Sequence, residues 1–197
     1  SDHGDYLGDH WLGEKELFYD AAARIPMIVA DPDASADGTR GTQDDRLVES
    51  IDLIPTFMDL AGCDEIPDHW LEGRSLAPLL RGDVDVAWRD AAFCECDYAV
   101  RHARNTLVMG PEDCRSFMIR TDRWKFVLYE GFRPQLFDMN NDPGELIDLG
   151  EDPGHEEVRR EMSDRIFEWM RKRKLREPAG PRRVTLSTES PLGFPPC

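Results

Sequence analysis

The chain opens SDHGDYLGDHWLGEKELFYDAAARIPMIV, Ser1–Val29. Asp2 and His3 are adjacent side chains that can bind a metal, and Gly4 places them at a turn where the backbone bends freely. Lys15 follows, then Tyr19, then an apolar run, Ile25-Pro26-Met27-Ile28-Val29-Ala30, that reads as a buried strand. A carboxylate and an imidazole followed by a lysine make half of a site for metal-assisted hydrolysis of a charged ester. The strand that would deliver Asp2, and the other ligands, are expected before Ser1.

Outward from that run, Leu17, Phe18, Ala21 and Ala22 have helical spacing, and Pro26 ends the helix before the apolar strand. Residues 31–46 are a polar loop. Between Leu47 and Gly62, apolar residues at Ile51, Ile54, Phe57, Met58 and Ala61 predict a core-facing helix. Ser50 or Asp52 can cap it, Pro55 suits its first turn and Gly62 its end. Residues 63–90 read as a loop containing Gly73-Arg74-Ser75-Leu76, and Trp88 reads as core.

Four strand signals follow: Ala91–Cys96, Ser116–Arg120, Trp124–Tyr129 and Gln135–Asp138. Thr121-Asp122-Arg123 is short enough to make the second and third an antiparallel hairpin, with Trp124 in the core. Asn140-Asn141-Asp142-Pro143-Gly144 is a turn. A long amphipathic helix spans Gly154 to Leu175, with Val158, Met162, Ile166, Phe167, Trp169 and Met170 apolar and Asp152-Pro153 at its start. A helix on one face of a small antiparallel sheet is a sound two-layer unit. The tail 178–197 is rich in proline and is expected either to be disordered or to wrap a neighbouring subunit, the second favoured by the apolar anchors Leu186, Leu192 and Phe194.

Composition excludes several classes. The net charge of −16 is spread along the chain, which argues against a nucleic-acid partner, since phosphate binding needs a basic face. The one basic cluster, Arg171–Lys174 with Arg176, complements a helix C-terminus. No apolar stretch is long enough to span a membrane. The five cysteines lack zinc spacing and read as reduced thiols, which makes a cytoplasmic location the expectation. Cys114 is not expected to be a nucleophile, because no base or helix N-terminus accompanies it. Asp9-His10 reads as local scaffolding, and His69, His102 and His155 as surface residues. Glu95 and Asp97 read as a solvated strand end.

The opening run resembles the second half of the sulfatase family of the alkaline phosphatase superfamily. Later segments match the family in order: Glu49-Ser50-Ile51-Asp52-Leu53-Ile54-Pro55-Thr56, Gly73-Arg74-Ser75-Leu76, and Leu136-Phe137-Asp138-Met139-Asn140-Asn141-Asp142-Pro143-Gly144-Glu145. Leu7-Gly8-Asp9-His10-Trp11, Glu95-Cys96-Asp97-Tyr98 and the Asp113-Cys114 lead-in resemble the phosphonate monoester hydrolase and phosphodiesterase branch.

The resemblance implies an α/β fold: the C-terminal part of an alkaline-phosphatase-like sandwich (1–90), a small antiparallel sheet packed against a long C-terminal helix (91–177), and an extended tail (178–197). It makes Asp2 and His3 metal ligands. It makes Lys15 the catalytic, substrate-binding lysine that contacts the anionic oxygens of a small ester substrate. The implied cofactor is a divalent metal, Mn2+ by the phosphonate branch or Ca2+ by many sulfatases. The family nucleophile is a formylglycine made from Cys or Ser in a C-x-P/A-x-R motif. No cysteine here lies in that motif. The chain is therefore expected to be the C-terminal part of a hydrolase, inactive alone, whose intact parent is a homo-oligomer. The alternative is a non-catalytic oligomerisation or ligand-binding module of a degenerate sulfatase homologue.

Overall fold

The computed structural model describes residues 2–63 and 71–173. The tail, His69, Cys197 and the helix end expected beyond Arg173 lie outside them. The elements run α1 (Asp20–Ala23), α2 (Leu53–Leu60), α3 (Ala77–Leu80), β1 (Ala91–Asp97), α4 (His102–Leu107), β2 (Arg115–Thr121), β3 (Trp124–Tyr129), β4 (Gln135–Asp138) and α5 (Glu156–Lys172), with short 3-10 turns between them. Two compact units emerge. One holds the residues up to Val29, Asp45–Leu47 and Trp88–Arg171; the other holds Ala30–Asp44 and Val48–Ala87.

In the first unit the strands form an antiparallel sheet in the order β1-β2-β3-β4. The hairpin expected at Thr121-Asp122-Arg123 is present, pairing Arg120 with Lys125 and Ile119 with Phe126. The Thr121 hydroxyl closes it by accepting the Trp124 N–H at 2.9 Å. Side chains alternate across a strand, so each strand feeds both faces. Phe117, Ile119, Phe126 and Leu136 point to one face, where Met162 and Ile166 of α5 complete a buried core with Trp124 at its edge. Each such side chain removed from water contributes about 1.5–3 kcal/mol. Phe93 stacks flat on Trp169, ring centres 5.0 Å apart.

The Asp152 carboxylate caps the approach to α5 by accepting the Gly154 N–H at 2.8 Å, and Glu156 and Glu157 occupy its first turn. Two expectations about this helix need correction. Phe167 is exposed rather than packed. His155 is half-buried rather than a surface residue, 3.0 Å from Asp152 with its ring edge toward Trp124.

The opposite face of the sheet is also covered. Met118 and Val127 are buried there with Phe18, which the opening run supplies. That run departs from its expected secondary structure twice. The helix over Leu17–Ala22 shrinks to α1, because Leu17 sits at φ 77, outside helical backbone. Ile25–Ala30 is extended but not a strand, and Ile28 is 91% exposed. An apolar run marks a surface suited to burial; a strand also needs a neighbour to take its N–H and C=O groups, and none pairs with it among the described residues.

In the second unit α2 ends as its sequence predicts. Gly62, at φ 74, donates to Asp59 O and Cys63 N–H donates to Met58 O, the paired bonds of a glycine-terminated helix. The 3-10 turn Ser50–Asp52 that leads into α2 is closed by a reciprocal cap between Glu49 and Asp52. The buried side is not the expected one. Asp52, Pro55 and Thr56 are buried, while Ile51, Ile54 and Phe57 are exposed. Asp52 accepts the Arg74 N–H and the Thr56 hydroxyl accepts the Leu76 N–H, both at 2.8 Å, so polar groups tie the following loop to the helix. Gly73 allows that approach: a Cβ there would lie 2.1 Å from Ile51 O. That loop ends in α3, a short helix where only a loop was expected.

The turn after β4 has a pH signature. Asp138 accepts from Arg123 Nη2 at 2.8 Å and from Asn141 Nδ2 at 2.9 Å. The Arg123 guanidinium, then Asn141, draw its carboxyl from the ordinary 3.8 to about 2. A carboxylate depressed in the folded state stabilises above its unfolded pKa and loses that contribution as pH falls through the folded value. Arg123 is half-exposed, so screening reduces the contribution to about 1 kcal/mol. Stability should fall between about pH 4 and pH 2, and Arg123→Ala should flatten that limb in acid-denaturation curves.

Candidate functional site

The opening run is held in a backbone few residues tolerate. Leu7, His10, Trp11, Glu14 and Leu17 all have positive φ, as does Gly8 at φ 107. Each non-glycine residue held there costs about 1–3 kcal/mol. Cross-loop bonds keep them in place: Tyr6 N–H to Glu14 O at 2.8 Å and Gly8 N–H to Leu12 O at 3.0 Å. The result folds Lys15 back toward the start of the run. The Asp2 carboxyl lies below its ordinary value because of a bond from its own backbone, then the charges of His3 and Lys15.

His3 Nδ1 donates to Gly4 O at 2.7 Å. A carbonyl only accepts, so Nδ1 carries a proton; in the neutral imidazole that leaves the lone pair on Nε2, the atom available to a metal. Nε2 is 3.8 Å from Asp2 Oδ2. A carboxylate oxygen and an imidazole nitrogen this close fit one side of a divalent-metal site. Asp2 is 90% exposed and Lys15 is exposed, as an open site requires. Among the described residues no group of three or more His, Cys, Asp or Glu side chains could hold a metal. The dyad offers two donors, fewer than a closed metal site uses. Gly4 fixes its place: its N–H donates to Ala22 O at 2.9 Å, and a Cβ would lie 1.9 Å from Ala21 O.

The sequence reading missed a second cluster behind this loop. Lys125 on β3 is buried, its side chain 1% exposed. Its ammonium donates to Phe18 O at 2.9 Å, to Glu145 Oε1 at 2.5 Å and to Asp20 Oδ1. Glu145 Oε2 accepts the Asp20 N–H at 2.6 Å. Glu145 is itself at φ 56. The signal was available: Lys125 alternates with Trp124 and Phe126 and so points away from the core they share. What lies on that side comes from a segment more than a hundred residues earlier, which no local pattern shows.

Beside the cluster, a cleft of about 560 Å³ is lined by His10, Tyr19, Gln135, Phe137 and Glu145. His10 stacks on Tyr19 with ring centres 3.9 Å apart, so the Asp9-His10 pair shapes the loop as expected. Cys114 is buried with Sγ 3.2 Å from Gly110 O, and desolvation pushes its thiol up, which leaves it inert. Glu95 and Asp97 are exposed at the end of β1.

The chain is similar to known proteins over most of its length. The family profile "N-sulphoglucosamine sulphohydrolase, C-terminal" matches residues 8–172. The multifunctional alkaline phosphatase superfamily protein PehA of Trinickia caryophylli is 30% identical over a match covering 86% of this chain and 33% of PehA. The choline-sulfatase of Rhizobium meliloti is 36% identical over 78% of this chain and 26% of its own length. The crystal structure of the phosphonate monoester hydrolase of Agrobacterium radiobacter superposes with a TM-score of 0.78 at 33% identity, covering 89% of this chain and 34% of that one. The chain thus spans about a quarter to a third of the length of these relatives. Its α/β fold is the alkaline-phosphatase-like one of these enzymes, with the small antiparallel sheet and long helix in place. The matched profile covers most of the sequence, and the chain belongs to the N-sulphoglucosamine sulphohydrolase C-terminal family of the sulfatases.

Proposed function

We propose that the chain is the C-terminal part of a metal-dependent hydrolase acting on sulfate monoesters, or on phosphonate monoesters and phosphodiesters. Residues 1–90 finish its catalytic domain and 91–177 form the following subdomain. The observation that carries the reading is the Asp2-His3 dyad, with Nδ1 committed to Gly4 O and Nε2 3.8 Å from the Asp2 carboxylate. Sulfatases and a phosphonate monoester hydrolase among the relatives support the substrate class.

In this reading Asp2 and His3 would hold a divalent cation, Mn2+ or Ca2+, which would supply Lewis-acid chemistry at the anionic centre. Lys15 binds the non-bridging oxygens of the substrate and offsets charge on the leaving oxygen. The nucleophile, a formylglycine, belongs to sequence preceding these residues.

The test is hydrolysis of an aryl sulfate, an aryl phosphonate monoester and a bis-aryl phosphodiester by the full-length protein loaded with Mn2+ or Ca2+. At least one should turn over, with loss on chelation. Asp2→Ala should lower the metal retained per chain, measured by emission spectroscopy. Absence of turnover on all three, or unchanged metal in Asp2→Ala, would overturn the proposal.

A further inference from the structure

We propose that Lys125 and Glu145 are positioning residues for the Asp2-His3 dyad, an ionic clamp that holds the dyad's loop against the sheet; this rests on the hydrolase reading above. The connection can be followed bond by bond. Lys125 leaves β3 on the face opposite α5 and donates to Phe18 O and the Asp20 carboxylate. Glu145 reaches the same place from the turn after β4. It takes the Lys125 ammonium on one oxygen and the Asp20 N–H on the other. Backbone atoms at residues 18 and 20 are thereby fixed from two strands' ends at once.

Asp20 begins α1, and α1 carries Ala22, whose carbonyl accepts the Gly4 N–H. Gly4 O in turn accepts from His3 Nδ1. Only these short links separate the clamp from the imidazole, and the absent Cβ at Gly4 lets the two backbones touch.

Simple stability does not require this arrangement. Two carboxylates converge on one buried ammonium, an expensive group to desolvate, where an apolar residue would pack beside Val127 and Phe18 more cheaply. Ionic groups with fixed hydrogen-bond directions specify position where apolar contacts slide. The dyad needs that, because a metal site tolerates only small displacement of its ligands.

The experiment compares the full-length wild type with Lys125→Met/Glu145→Gln and with Ile166→Ala. The double variant removes the clamp without stranding a fully buried charge. Ile166→Ala weakens the core on the other face of the sheet and serves as the stability control. Amide hydrogen exchange at residues 4–23, the Kd for Mn2+, and kcat against KM are read for each. The clamp variant should show at least tenfold faster exchange at Gly4 and Asp20, at least tenfold weaker Mn2+ binding and a lower kcat. Ile166→Ala should leave the dyad loop's exchange and Mn2+ binding near wild type at a comparable loss of Tm. Glu145→Asp, which keeps the charge but shortens the reach, should fall between. Equal effects from the clamp variant and Ile166→Ala, or no effect from the clamp variant, would overturn the proposal. A wild type that binds neither Mn2+ nor Ca2+ would overturn the hydrolase reading and this one with it. Wild-type activity with an indifferent clamp variant would overturn this one alone.

Discussion

Lys125→Met alone should destabilise the protein by about 3–5 kcal/mol, the cost of leaving a buried partner charge uncompensated. Lys125 and Glu145 are almost wholly removed from water. Methionine keeps the volume of the lysine stem, so little of the loss comes from a cavity. It comes from Glu145, which keeps its charge and loses its cation, and from Phe18 O, which loses its donor. Adding Glu145→Gln should therefore recover part of the loss, because an amide is cheaper to bury than a carboxylate. The Asp20 N–H can still be accepted by the amide oxygen. Urea denaturation of the four proteins of the double-mutant cycle measures this. A Lys125→Met variant as stable as wild type, or a double variant less stable than either single one, would contradict the arrangement described for the sheet's second face.

Lys15→Ala should lower kcat in the full-length enzyme by about 10²–10³, the usual loss when one donor to a developing oxyanion is removed. Lys15 is exposed and packs against no core, so Tm should not move. The two substitutions are complementary: one lysine is buried in an ionic cluster, the other is exposed and is the one proposed to bind substrate. Lys15→Arg should restore only part of the rate, because the planar guanidinium does not reproduce a compact ammonium. Turnover within a few-fold of wild type in metal-loaded Lys15→Ala would remove that lysine from the chemistry.

Much of the fold can be read in the residues. The strand-forming runs Ser116–Arg120 and Trp124–Tyr129, joined by a three-residue connection, specify an antiparallel hairpin, because so short a link lets the second run return only alongside the first. Asp152-Pro153 and the periodicity after it mark the long helix, and Gly62 marks the end of α2, since these signals act through near-neighbour backbone bonds. Asp2, His3 and Lys15 stood out by type and order. The failures share a cause. Ile25–Ala30 and the Ile51, Ile54, Phe57 stripe are apolar, and apolarity says only that a surface favours burial. Which strand or loop lies beside it is set by residues far away in the chain.

The sequence by itself thus determined the local elements, the class of fold and the residues capable of metal and anion chemistry, because propensity, caps and family motifs are written in short spans. Only the tertiary structure decided that Lys125 faces the opening run, that Glu145 and Asp20 meet it there, and that His3 donates through Nδ1. The contacts of Lys125, Glu145 and Asp20 join segments up to 125 residues apart. They depend on where the sheet's second face falls, and a charge in a strand carries no local mark of the partner that will neutralise it.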